Sequence, residues 1–268
     1  MIERIVPSQV VVEEAFSDPP LATLFPAEEE LIRNSVEVRR KEFTTVRHCA
    51  RRALGTLGIA PAPILKGERG APIWPEKTVG SMTHCKGFRA AAVAHRADIL
   101  TIGVDAEPHA PLPDDVLEAI ALPSEQRRER ELSARIPGIR WDRLLFSAKE
   151  SVYKAWFPLT RRWLGFEQAD IVLRPDGEFT AELLVPEEML SPAAAVPVQP
   201  VPGSGPGRPF PPSTASPAVP RVLRGRWLVA DGLLATSIVV VNGPTAPTDP
   251  STAADGLTTP VTGTGVGV

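Results

Sequence analysis

Between Glu29 and Ile59, in "EELIRNSVEVRRKEFTTVRHCARRALGTLGI", the apolar positions Val46, Cys49, Ala50, Ala53, Leu54 and Leu57 recur every three or four residues. That period predicts an amphipathic helix, ending near Gly55 and Gly58. A second apolar stripe, Trp141, Leu144, Leu145, Ala148, Val152, Ala155 and Trp156, predicts another helix that Pro158 should terminate. Its opposite face carries Arg143, Ser147, Glu150, Ser151 and Lys154. Elsewhere the pattern has a period of two or runs continuously apolar. "FRAAAVAHRADILTIGVDAEP" predicts an antiparallel pair of strands around a polar turn at Arg96 to Asp98. "ADIVLRPDGEFTAELL" and "RGRWLVADGLLATSIVV" predict hairpins turning at Asp176-Gly177 and Asp231-Gly232. The stretch "LKGERGAPIWPEKTVGSMTHC", broken by Gly67, Gly70, Pro72 and Pro75, predicts turns and short extended pieces.

Two regions lack either period. "SPAAAVPVQPVPGSGPGRPFPPSTASPAVP", residues 191–220, is too rich in Pro, Gly and Ala for regular structure, and the tail 242–268 resembles it. Both are expected to be disordered. The remaining chain, 268 residues in all with 43% hydrophobic side chains, supplies one large core or two smaller ones.

Charge and cysteine content narrow the function classes. A net charge of −3 lacks the basic excess of a nucleic-acid binder, and no apolar run approaches the roughly 20 residues that span a bilayer. No leader segment is recognisable, so a cytoplasmic protein is expected. The two cysteines, Cys49 and Cys85, form no CxxC pair and no zinc set. Cys85 adjoins His84, but neighbours on an extended chain face apart, which is poor geometry for a nucleophilic dyad.

The candidate chemistry begins with "TIGVDAEPHA". Extended geometry puts Leu100, Ile102 and Val104 on one face and Thr101, Gly103, Asp105 and Glu107 on the other. Two carboxylates side by side repel unless water, a basic group or a cation compensates them. Glu150 is a third acid, with Lys154 one turn later. On spacing alone these two also suit an ordinary surface pair, and "SAKE" also suits a capping box. His84, Ser81 and Thr83 in "GSMTHC", the helix arginines Arg39 and Arg47, and Lys66 and Arg69 in "LKGERGAP" suit an anion site or plain solvated positions.

The order of "GSMTHC", "IGVDAEP" and "FSAKESVYKAWFP" resembles the three-motif signature of 4′-phosphopantetheinyl transferases of the surfactin-synthetase-activating type. "WDRLLFSAKESVYKAWFPLTRRWLGFEQADI" is most similar to actinobacterial members, and the likeness runs from Glu28 to Val241 apart from the Pro-rich insert. It implies an α/β (α+β) fold of two similar lobes, residues 1–104 and 105–241, related by a pseudo-twofold axis with the site in the cleft between them. It implies transfer of the phosphopantetheine arm of coenzyme A to a serine of an apo acyl or peptidyl carrier protein, releasing adenosine 3′,5′-bisphosphate. Asp105, Glu107 and Glu150 would hold Mg²⁺, with Mn²⁺ as a substitute, and Glu150 or metal-bound water would act as the base. Lys154 would contact the pyrophosphate. His84, Arg47, Lys66, Arg39 and Arg69 would hold coenzyme A phosphates, beside Ser81 and Thr83 in the same loop. No nucleic-acid or membrane partner is implied, and a monomer suffices. A Mg²⁺-dependent phosphohydrolase acting on coenzyme A and an inactive binding module are the rival readings.

Overall fold

The computed structural model describes residues 1–191 and 218–242, so nearly all of the insert and tail expected to be disordered lie outside the described residues. In chain order the elements are β1 (Val11–Ala15), α1 (Pro26–Glu30), α2 (Glu37–Thr56), β2 (Thr78–Cys85), β3 (Phe88–His95) and β4 (Ile99–Pro108). There follow α3 (Val116–Ile120), α4 (Pro123–Arg135), α5 (Trp141–Thr160), β5 (Ala169–Leu173), β6 (Glu178–Leu183), β7 (Val222–Ala230) and β8 (Leu233–Val241). This is the mixed α/β composition that the sequence patterns predict. Among the described residues no helix is long and apolar enough to cross a membrane.

The strands form two antiparallel sheets, one ordered β1-β3-β2 and the other β4-β8-β7-β6-β5. β3 is central in the first and buried on both faces, which is why it reads as a continuous apolar run. Ala91 and Val93 pack beneath Cys49, Ala50, Ala53 and Leu54 of α2, the stripe expected from the helical period. Ala90, Ala92 and Ala94 turn the other way, against Ile99, Ile102, Val104 and Ala106. On the second sheet α5 buries Trp141, Leu144, Leu145, Ala148, Val152 and Trp156. Both predicted hairpins are present, as β5–β6 and β7–β8. The second turns through Asp231 (φ 53°) and Gly232 (φ 74°), the doubly left-handed turn that suits strand twist.

Four expectations need correction. β3 and β4 flank the predicted turn but do not pair: β3 lies between β1 and β2, while β4 pairs with β8. The turn is instead tied to the end of β8 by Asn242, whose amide N–H donates to Asp98 O at 2.8 Å. "TVGSMTHC" is a full strand, not a loop. A register shift between Ile99 and Thr101 sends Leu100 into the core under α5, away from Ile102 and Val104. Pro158 lies inside α5, where it withholds only the N–H that Lys154 O would accept, and the helix ends at Arg161 (φ 55°).

Position 104, proposed above as the lobe boundary, falls within β4, which pairs with β8 along its length. β4 is an edge strand of its sheet and β2 an edge strand of the other. Side chains, not a backbone ladder, bridge these two edges. Ser81 Oγ accepts the amide N–H of Val104 at 3.0 Å, and Thr83 Oγ1 accepts that of Ala106 at 3.0 Å. On its α5 side β4 carries Gly103, because the helix backbone passes directly over it. A Cβ there would collide with Ser151 O and lie 2.7 Å from the amide nitrogen of Ala155.

Because Thr83 and Ala106 are buried, Thr83→Val should leave the Ala106 N–H unpaired at nearly constant side-chain volume. Urea unfolding should show a loss of about 1–3 kcal/mol at unchanged m-value. An unchanged midpoint would refute the joint.

Candidate active site

Two helices face each other across a cleft of about 280 Å³. From α2 come Arg39, Phe43, Val46 and Arg47, at spacings of four, three and one, which is one helical face. From α5 come Glu150, Tyr153, Lys154, Phe157 and Pro158, again one face. β2 supplies Gly80, Ser81, Met82 and His84, and the turn after Ile64 supplies Lys66 and Arg69. The cleft thus gathers every residue expected at a phosphate site except Thr83, whose hydroxyl is used in the joint and in a 3.3 Å contact to Asp105 Oδ1.

The α2 wall is rich in cations and poor in counter-charge. Arg47 is buried; its Nε donates to Ile64 O at 3.0 Å, and its guanidinium lies 3.3 Å from the centroid of the Phe43 ring. Lys66 Nζ lies 5.2 Å from the same centroid. Burial, outweighing Glu28 and reinforced by Arg51 and Arg39, lowers the pKa of Arg47 to about 10. Burial, then Arg39 and Arg47, pulls that of Lys66 down. Arg39 Nη1 lies 2.5 Å from His84 Nε2, and His84 Nδ1 lies 3.4 Å from Glu42 Oε2. Arg69 reaches across the mouth of the cleft to Trp163, 5.3 Å from its ring.

The opposite wall has the reverse imbalance. Asp105 is 5% exposed; its Oδ1 receives Lys154 Nζ at 2.7 Å, and its Oδ2 is buried with no hydrogen-bond partner among the described residues. Glu107 Oε2 receives Arg143 Nη1 at 3.1 Å. Burial raises the pKa of Glu107, with Asp105 adding to the shift and Arg143 and Lys154 opposing it. Burial also raises that of Glu150, against Lys154 and with Asp105. The surface pair Glu150–Lys154 does not form, because Lys154 is engaged with Asp105 and the carbonyl of Val104. The capping box is excluded as well, since Ser147 lies inside α5 and shares a 2.9 Å hydrogen bond with Thr236. Ser147 and Ser151, expected on a polar outer face, are buried against β8.

Asp105, Glu107 and Glu150 are not drawn into one ligand set: among the described residues no three His, Cys, Asp or Glu side chains are arranged to hold a metal. Lysine and arginine hold two of the acids instead. Asp105 Oδ2, without a partner among the described residues, nevertheless fits a hard divalent ion, which takes carboxylate oxygens. The Cys85 thiol, buried and pushed up to about 12, is no nucleophile.

Sequence reasoning overlooked Glu42, Phe43, Arg143, Tyr153 and Trp163. Phe43 was accessible from spacing, since it stands midway between Arg39 and Arg47 on one helical face. Arg143 and Trp163 gave no such signal, because their partners are distant in the chain. Tyr153 and Glu150 also line a second cavity of about 210 Å³ with Lys149, Trp163, Phe166 and Ala169.

Comparison with known proteins places this geometry. Residues 27–94 match the model of the 4′-phosphopantetheinyl transferase N-terminal domain, and residues 101–197 that of the 4′-phosphopantetheinyl transferase superfamily. The two matches part where the chain leaves β3 for β4. The chain is 47% identical to 4′-phosphopantetheinyl transferase Svp of Streptomyces mobaraensis, over 90% of this chain and 89% of that protein. It is 44% identical to 4′-phosphopantetheinyl transferase PptT of Mycobacterium tuberculosis, over 90% and 98%. Against 4′-phosphopantetheinyl transferase Npt of Nocardia iowensis it is 46% identical, over 89% and 99%. With likeness of this extent across both sheets and both walls of the cleft, the chain belongs to the 4′-phosphopantetheinyl transferase family of enzymes.

Proposed function

We propose that this enzyme, of the surfactin-synthetase-activating type, transfers the phosphopantetheine arm of coenzyme A to a serine of an apo acyl or peptidyl carrier protein and releases adenosine 3′,5′-bisphosphate. The observation that carries the reading is the pair of opposite charge imbalances facing each other across one cleft. A wall with more cations than carboxylates and a wall with more carboxylates than cations together suit a magnesium pyrophosphate. Two lobes related by a pseudo-twofold axis, with the boundary expected at 104 moved to the turn between β3 and β4, would meet at the β2–β4 joint, and a single copy working in the cytoplasm suffices. No membrane or nucleic acid takes part.

Arg39, Arg47, Lys66 and Arg69 would hold the phosphates of coenzyme A, with His84 and Ser81 beside them and Thr83 behind. Arginine grips phosphate through two parallel N–H groups, and lysine follows it as a mobile point charge. Lys154 would exchange Asp105 for a pyrophosphate oxygen, while Asp105, Glu107 and Glu150 would hold Mg²⁺ or Mn²⁺. When bound, that ion neutralises charge that builds on the leaving phosphate. The adjoining second cavity would take the arm itself. As the serine Oγ bonds to the β-phosphorus and the bond to the leaving nucleotide phosphate breaks, Glu150 would accept the serine proton. Its burial suits this, because a base works best when its pKa rises toward the operating pH.

Mass spectrometry of an apo carrier protein incubated with enzyme, coenzyme A and Mg²⁺ should show addition of one phosphopantetheine group, abolished by EDTA. Glu150→Gln should keep coenzyme A binding while transfer falls by roughly 100-fold or more, the usual contribution of a general base. Hydrolysis of coenzyme A with no carrier present would instead support a phosphohydrolase, and near-normal transfer by Glu150→Gln would remove it as the base.

Metal binding has a separate readout. Millimolar Mg²⁺ should raise the melting temperature of the ligand-free protein, because a ligand that binds only the folded state stabilises it. The Asp105→Asn variant should fold and show no such rise. Equal rises in both proteins would place the ion elsewhere.

A further inference from the structure

Two contacts of different character hold Arg47 in the cleft wall. The Phe43 ring, its centroid 3.3 Å from the guanidinium carbon, supports the group from one side but lets it slide across the ring face. The hydrogen bond from Nε to Ile64 O, at 3.0 Å, is directional and fixes where the two Nη groups point. The place of that carbonyl therefore decides the aim of Arg47. Ile64 follows "APAP", in which Pro61 and Pro63 carry no N–H, and it belongs to no helix or strand. Its own N–H donates to a side chain, Glu28 Oε1, at 2.8 Å. Ile64 is thus gripped at both of its backbone polar groups.

Glu28 is fully buried, and its bland role is to cap α1, where Oε2 accepts the N–H of Phe25 at 2.9 Å. Capping leaves Oε1 unexplained, since that oxygen reaches 36 residues along the chain to Ile64. Arg51 Nη1 donates to both oxygens at 2.9 Å, whereas Arg47 Nε stays 3.7 Å from Oε1, beyond hydrogen-bonding distance. Arg51 thus takes the charge of Glu28, and Arg47 keeps the carbonyl. We infer that Glu28 is a positioning residue of the phosphate site: it holds the Ile64 amide and so places the carbonyl that aims the Arg47 guanidinium into the cleft. Lys66, two residues on, is held separately, because Leu65 O accepts the N–H of Ile73 at 2.9 Å and Lys66 pairs with Pro72. The effect is therefore confined to Arg47. This inference rests on the reading that the cleft takes coenzyme A phosphates.

The test reads Arg47 first without ligand and then with it. Removing Glu28 alone would leave Arg51 without its acid, so both are exchanged for apolar side chains, Glu28→Met with Arg51→Met, which a buried ion pair usually tolerates. One charge of each sign is lost, so a change in anion affinity reports geometry and not Coulomb attraction. In ¹⁵N-labelled, ligand-free protein the Nε–H of Arg47, assigned through Arg47→Lys, should exchange slowly with water, and about tenfold faster in the double variant. Coenzyme A binding, measured by calorimetry, should weaken about fivefold to tenfold, the scale of one hydrogen bond. In an Arg47→Ala background the same double exchange should cost less than about twofold. Glu28→Gln, whose amide oxygen still accepts from Ile64, should keep both readings near those of the wild type. If the double variant does not fold, Glu28→Asp, which keeps the charge beside Arg51 but withdraws it from Ile64 by one methylene, replaces it with the same readings expected. Unchanged exchange or affinity, the same loss without Arg47, or a loss in Glu28→Gln as large as in the double variant would each overturn the inference. A wild type with a protected Arg47 Nε–H that binds no coenzyme A would instead sink the functional reading, and the aim of Arg47 at a phosphate with it, while leaving the hold of Glu28 on Arg47 standing.

Discussion

Everything at the site depends on how two sheet edges meet. An edge strand presents unpaired amides, and burying such an edge without partners costs about 1–3 kcal/mol for each orphaned group. Here the buried amides of Val104 and Ala106 are met by the hydroxyls of Ser81 and Thr83, so β2 and β4 are held side by side with no ladder between them. That substitution has a geometric consequence. The Asp105 side chain sits beside this joint, its Oδ1 3.3 Å from Thr83 Oγ1 and 2.7 Å from Lys154 Nζ. His84 follows Thr83 directly on β2, so the joint also sets the edge of the phosphate wall.

The energetics of the two walls explain each other. Two like charges about 4 Å apart in partly buried surroundings interact by roughly 4 kcal/mol at an effective dielectric of 20. The cation–π contacts that Phe43 gives Arg47 and Lys66 are worth about 0.5–2 kcal/mol each, too little to offset repulsion among several cations. Glu28, 3.7 Å from Arg47, and Glu42, 3.6 Å from Arg39, offset part of that repulsion, which leaves four cations beside two carboxylates and favours an anion. Across the cleft, Lys154 and Arg143 hold Asp105 and Glu107, and Asp105 Oδ2 has no hydrogen-bond partner among the described residues. Arg143 also donates to the carbonyls of Ala110 and Pro111, which fixes it to the chain just beyond Glu107. Lys154 has fewer ties and a flexible stem, so it is the cation able to leave its acid when a better partner enters.

Local pattern made part of this legible. Helical periodicity identified α2 and α5, and the Asp-Gly turns identified both hairpins, because spacing and turn chemistry act over a few residues. Motif order brought together the acids, Lys154 and the basic residues. What stayed hidden is what distant segments decide. Nothing in "FRAAAVAHRADILTIGV" states that its two strands belong to different sheets, since either edge of an alanine-rich strand accepts a partner. Ser147 and Ser151 read as a wet helix face because their partner, Thr236, lies more than 80 residues away. The same limit hid Arg143, which meets Glu107 across 36 residues. Glu42 was closer to view, one turn from Arg39, but it acquires meaning only when β2 delivers His84.

Adjacent residues in "SAKES" show how the fold turns composition into direction. Successive helical side chains diverge by about 100°, so Lys149 and Glu150, though both reach the second cavity, point to different neighbours. Lys149, 1% exposed, donates to Phe166 O at 2.6 Å, Ala169 O at 2.9 Å and Glu125 Oε2 at 2.9 Å. Glu125 in turn accepts the amide N–H groups of Ile171 and Leu122, each at 2.7 Å. A buried ion pair of this kind adds little net stability relative to an apolar packing of equal volume, whereas losing one partner costs about 3–5 kcal/mol. Its effect is directional. Three acceptors, one from α4 and two from the stretch 166–169, leave the Lys149 ammonium one position, and an apolar side chain would slide where lysine is held. The rotation of α5 about its own axis is thereby set, and Glu150, one residue on, is turned into the cleft that Lys154 also lines.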